Sequence, residues 1–120
     1  MRKDPTKSYS ANGLMNIGID AVSVKRFRHI KKTEYRYWKR VFTPYEWGYA
    51  FTGSHSAERL AGIFAAKEAA MKALRKVGAK EFKKIKISHG KSGEPGINRK
   101  GCKVSITHDE NMAFAVILVV

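Results

Sequence analysis

The chain has 120 residues, 43% of them hydrophobic, which suits a single folded domain with one core. Lys and Arg number 24 against 10 acidic residues, a formal charge of +14. A domain this basic attracts an anion, whether nucleic acid, an acidic protein or a phosphate-rich small molecule, and the sum alone does not choose among them.

No apolar run approaches the roughly 18 residues that span a membrane. Residues 1–14 have no apolar signal core and read as a flexible basic lead-in, so export is not expected. A single domain is expected over residues 15–120. The lone Cys102 cannot form an internal disulfide, which points to a reducing cytoplasm.

From Met15, "MNIGIDAV" alternates apolar residues around Gly18 and predicts a strand, with Asp20 near its end. "AVSVKRFRHIKK" spaces Val24, Phe27 and Ile30 as a helix, with Lys25, Arg26 and Arg28 outward. "TEYRYWKRVF" predicts a second short helix. "TPYEWGYAF" starts another, with Thr43 as N-cap, Pro44 first and Glu46 closing a capping box.

A long helix should begin near Ser54 or Ser56 and end near Val77–Gly78. Its stripe is Leu60, Ile63, Phe64, Lys67, Met71 and Leu74. "KKIKIS" predicts a short strand and "HGKSGEPG" a turn. "KVSIT" and "MAFAVILVV" predict two strands joined at "HDEN". The order implies an α+β fold, an antiparallel sheet packed against a long helix and shorter ones.

The long helix carries charge where a core is expected. Lys67 falls inside the stripe, either snorkelling out or meeting a ligand. Glu68 and Lys72 lie on its flank, on the side of Ala61 and Ala65. They are either an ordinary i,i+4 ion pair or a face low enough for a ligand to approach the backbone. Asp20 is either a helix cap or a ligand for a hard cation such as Mg²⁺, which takes one or two carboxylates, waters and phosphate oxygens. His108 alone reads as a surface histidine. No zinc-ligand spacing, Walker phosphate loop or dinucleotide fingerprint is present.

Taken together, "NIGIDAVSVKRF", "RVFTPYEW", "RLAGIFAAKEAAMKAL", "SGEP" and "VSITHDENMAFAVILV" resemble the successive motifs of the holo-acyl-carrier-protein synthases. These form the short branch of the phosphopantetheinyl transferase superfamily. The resemblance runs from Asn16 to Val119 and implies an enzyme. Such enzymes move the 4'-phosphopantetheine arm of coenzyme A to a serine of an apo acyl carrier protein and release adenosine 3',5'-bisphosphate. They are Mg²⁺-dependent and usually homotrimeric, with interfacial active sites.

On the matching positions, the resemblance makes Asp20 and Glu68 the metal ligands, and Lys72, with Lys67, the phosphate cations. His108 falls near the ribose phosphate, Gly93 and Pro95 at the adenine end, and Arg26, helped by Lys25 and Arg28, at the docking surface for the acidic carrier. Three departures stand out. Ile63 replaces a frequent Arg, Ser23 replaces a frequent acid, and "RKVGAKEFKK" replaces a glycine-rich loop, so Arg75 or Lys76 is a candidate for phosphate work. Two rival readings are a small nucleic-acid-binding domain, suggested by the aromatic and basic run "YRYWKRVF", and a carrier-binding homologue without catalysis.

Overall fold

The computed structural model describes residues 16–120; the expected lead-in, 1–14, lies outside them. Strand β1 (Asn16–Ser23) buries Gly18 and Val22 and leaves Ile17, Ile19 and Ala21 exposed. It pairs antiparallel with β5 (Met112–Val119), which pairs antiparallel with β4 (Cys102–Asp109). The sheet order is β1-β5-β4. Two short strands, β2 (Ile87–His89) and β3 (Pro95–Ile97), form a separate antiparallel pair.

The long helix, α3 (Ser56–Leu74), crosses the inner face of the larger sheet. Its alanines 61, 65, 66, 69, 70 and 73 are buried. They let the strands approach closely: a Cβ on Gly18 would strike the Ala69 carbonyl oxygen and come within 2.9 Å of Ala73 N. Ala61 and Ala65, where the sequence suggested a face open to a ligand, are themselves 0% exposed. The core is completed by Phe27, Phe42, Leu60, Ile63, Ile85, Ile87 and Ile117, all at most 1% exposed. Each such side chain contributes about 1.5–3 kcal/mol by leaving water.

Helix α2 (Pro44–Ala50) has the predicted cap: Thr43 Oγ1 accepts from Glu46 N, and Glu46 Oε1 accepts from Thr43 N. Other segments differ from expectation. "AVSVKRFRHIKK" forms only one 3-10 turn, Val24–Phe27, which buries Val24 and Phe27. Helix α1 (Tyr35–Trp38) follows another such turn, Lys32–Glu34. Helix α3 stops before the expected Val77–Gly78, because Arg75 takes a left-handed conformation (φ 55°) and Lys76 N bonds Met71 O. Part of the predicted strand "KKIKIS" is the end of α4 (Ala79–Lys84), which buries Phe82. The last hairpin turns at Glu110–Asn111, so His108 and Asp109 belong to β4.

Candidate active site

Packing of β1 on α3 brings Asp20 to the helix flank. Lys72 Nζ lies 3.1 Å from Asp20 Oδ1 and donates to Ile19 O at the same distance. Glu68, one turn earlier, is half-buried on the same side of the helix. The ordinary Glu68–Lys72 pair is therefore not what forms: the ammonium reaches across to the strand. A cavity of about 700 Å³ opens beside Glu68 and Lys72, walled by Val41, Phe64, Met71 and Phe82. Arg40, Arg75 and Lys76 also line it, so the two cations after the long helix share this cavity with Glu68.

The donor set here is two carboxylates. Among the described residues there is no group of three His, Cys, Asp or Glu side chains able to enclose a metal. Asp20 already offers an oxygen to a cation, the Lys72 ammonium. Two hard oxygen donors and no more suit Mg²⁺, which leaves places for water and substrate phosphate.

The other expected ligand residues collect in a second cleft, of about 400 Å³. Gly93, Pro95 and His108 line it with Tyr49, His55, Glu58, Arg59, Gly62, Ile63, His89 and Ile106. Gly93 has φ +84°, the left-handed backbone that its turn requires. Tyr49 and His89 stack at 3.8 Å and 8°. Arg59 lies over the other partner of that stack, 4.6 Å from the Tyr49 centroid. Burial, reinforced by Arg59 and opposed by Glu46, pushes the His89 pKa down from the usual imidazole range. Its Nδ1 is buried with no hydrogen-bond partner among the described residues. This cleft shares no lining residue with the first; the two flank opposite ends of α3.

Lys67 requires a correction. It neither snorkels out nor faces a ligand: its side chain is 0% exposed and Nζ lies 2.7 Å from Glu46 Oε1. The ammonium also donates to Val41 O at 2.7 Å. Burial pulls its pKa down, and Glu46 opposes that shift. Glu46 Oε2 in turn accepts from Ile87 N at 2.7 Å, so the pair ties α2, α3 and β2 together. Lys67 therefore leaves the cofactor-binding set.

Arg26 is exposed, its guanidinium 5.0 Å from the Phe64 centroid, which sets it beside the first cavity. Lys25 is exposed, and Arg28 donates to Asn111 Oδ1 at 3.1 Å. In the run "YRYWKRVF" Phe42 is buried, and Tyr35, Trp38 and Val41 are half-buried against the core. Trp38 and Phe42 pack on Phe27, and Tyr35 Oη donates to Phe42 O at 2.8 Å. Of its aromatics only Tyr37 is exposed, so the run is no stacking platform for bases. Sequence reasoning missed Glu46 as the partner of Lys67, and Tyr49, Arg59 and His89 as cleft residues. Their contacts join distant elements and have no local pattern.

On this α+β fold Lys72 of the long helix thus pairs with Asp20 of β1, with Glu68 one turn earlier on the helix. Residues 16–117 match the 4'-phosphopantetheinyl transferase superfamily, and the chain belongs to it. The chain is 40% identical over 116 residues to a holo-[acyl-carrier-protein] synthase of Caldicellulosiruptor bescii, covering 86% of this chain and 95% of that one. A holo-(acyl-carrier-protein) synthase of Bacillus anthracis, solved in complex with CoA (3',5'-ADP), is 30% identical with a TM-score of 0.71, covering 86% of this chain and 93% of that one. The Helicobacter pylori holo-[acyl-carrier-protein] synthase, solved with coenzyme A, is 32% identical with a TM-score of 0.69, covering 84% and 96%.

Proposed function

We propose that this chain transfers 4'-phosphopantetheine from coenzyme A to a serine of an apo acyl carrier protein. The observation that carries the reading is the Asp20–Lys72 pair beside Glu68, in a chain whose relatives are holo-acyl-carrier-protein synthases. The serine oxygen forms a bond to the phosphorus that bears the pantetheine arm. The bridging P–O bond breaks, and adenosine 3',5'-bisphosphate leaves with its electron pair.

Glu68 is suited to take the serine proton, directly or through one water. Lys72, freed from Asp20 by substrate, offsets charge that grows on the phosphoryl oxygens. Asp20 and Glu68 are the residues that would hold Mg²⁺, and the bound ion would supply further charge stabilisation there. His108, Gly93 and Pro95 receive the nucleotide end. The exposed cations Lys25, Arg26 and Arg28 suit an acidic carrier.

Two observations favour assembly with another copy and interfacial sites, and the family resemblance makes that assembly a homotrimer. The outer sheet face leaves Ile17 68%, Ile19 65% and Phe114 37% exposed, an apolar patch that invites cover by another copy. The cavity beside Glu68 and Lys72 and the His108 cleft also stand apart within one chain, so a neighbouring copy is the natural means to join them. Among the described residues no helix is long and apolar enough to cross a membrane. With its single cysteine, the chain fits the cytoplasm.

The test is direct. Wild type, apo carrier, CoA and Mg²⁺ should raise the carrier mass by one phosphopantetheine, and EDTA or Glu68→Gln should abolish the gain. An unchanged carrier mass with wild type, or full activity in Glu68→Gln, rejects the assignment.

A further inference from the structure

We propose that Arg59 recognises the 3'-phosphate of coenzyme A and so sets the preference for that donor over its dephosphorylated form. The inference rests on the reading above, in which the His108 cleft receives the nucleotide end. Coenzyme A carries two kinds of phosphate. Its pyrophosphate must lie at the reacting end, beside Asp20, Glu68 and Lys72. The anion left for a separate cleft is the ribose phosphomonoester.

That cleft offers one permanent cation. Among the described residues, Arg59 is the only Lys or Arg that lines the cleft. Ile63, one helical turn further on, presents no polar side-chain atom. The cleft's one carboxylate, Glu58, is engaged at 3.4 Å with His55 Nδ1. Among the described residues Arg59 has no carboxylate partner within ion-pair distance.

The guanidinium is also held in place. Nη1 donates to the carbonyls of Tyr49 and Thr52, and the group lies over the Tyr49 ring. Both bonds use Nη1, so among the described residues the Nε and Nη2 hydrogens remain for a ligand. A fixed planar fork of this kind matches phosphate oxygens in pairs, which a lysine point charge does not. His108, exposed on the cleft wall, adds a second donor or acceptor.

Transfer rates with CoA and with 3'-dephospho-CoA, measured on wild type, Arg59→Met and Arg59→Lys, test this. Wild type should prefer CoA. Arg59→Met should raise the KM for CoA by about 10–100-fold, the loss expected for a charge-assisted hydrogen bond, and move the KM for dephospho-CoA far less. Arg59→Lys should recover part of the preference.

An equal rise for both donors would mark Arg59 as only a tether for the Tyr49–Thr52 segment and overturns the proposal. Failure of the transferase reading is visible separately, as no transfer by wild type from either donor. Calorimetric titration with adenosine 3',5'-bisphosphate and with adenosine 5'-monophosphate then decides the Arg59 role by itself. A wild-type preference for the bisphosphate that Arg59→Met removes supports it, and equal wild-type affinities overturn it.

Discussion

Lys67 and Glu46 form an ion pair, Nζ to Oε1 at 2.7 Å, with both side chains 0% exposed. Removing one partner strands the other charge in the core. Lys67→Met should therefore destabilise the fold by about 3–5 kcal/mol, read from urea unfolding. The double variant Glu46→Leu/Lys67→Met should recover only part of this. It leaves the Thr43 and Ile87 N–H groups without their carboxylate, at about 1–3 kcal/mol each. Full recovery would mean that the carboxylate's backbone bonds contribute nothing.

Gly18 is where β1 touches α3. Gly18→Ala drives a methyl into the Ala69 carbonyl, and should destabilise by about 3 kcal/mol, the upper range for overpacking. Because Asp20 is two residues further along the same strand, transfer activity should fall further than the folded fraction. Parallel thermal melts and rate measurements on one sample separate the two effects.

The uncovered sheet face makes an assembly prediction. Ile17→Lys and Phe114→Lys place charges on opposite strands of that face. Each should convert a wild-type trimer to monomers in size-exclusion chromatography with light scattering, with loss of transfer but retention of helical circular dichroism. A wild-type protein that runs as a monomer and is fully active would remove the case for interfacial sites.

Arg26 is exposed beside the first cavity. Arg26→Ala should raise the KM for the acidic carrier about tenfold and that for CoA much less. The carrier KM should also become less sensitive to salt. Equal effects on both substrates would count against a docking role.

His89 links stability to pH. Its imidazole, buried against Tyr49, has a pKa below the unfolded value of 6.5. The unfolded chain therefore binds a proton first as pH falls. Stability from this residue is complete above about pH 6.5 and is lost as pH drops through the folded value. The slope of Tm between pH 7.5 and 5 should be shallower in His89→Gln than in wild type.

The sequence shows some parts of this molecule plainly and others not at all. The Thr43–Glu46 capping box is a four-residue pattern, and it forms as read. The stripe from Leu60 to Leu74 and the alternation in β1, β4 and β5 likewise report local periodicity. Helix α4 escaped because six residues with one buried apolar side chain, Phe82, carry too little periodicity to outweigh the alternating Ile85 and Ile87. Arg75 ends α3 early without a glycine, so no residue type signals that stop.

Local pattern and motif order by themselves determined the α+β class, the long helix and the membership of a transferase superfamily. They also singled out Asp20, Glu68 and Lys72. Only the tertiary structure decided what each charge meets. Lys72 turns to Asp20, 52 residues away, instead of to its helical neighbour Glu68. Lys67, one residue from Glu68, points to the opposite fate and is sealed in the core by Glu46. Successive helix positions are about 100° apart, so adjacent residues face different surroundings. What lies in each direction is set by strands and loops distant in sequence, and no local pattern encodes it.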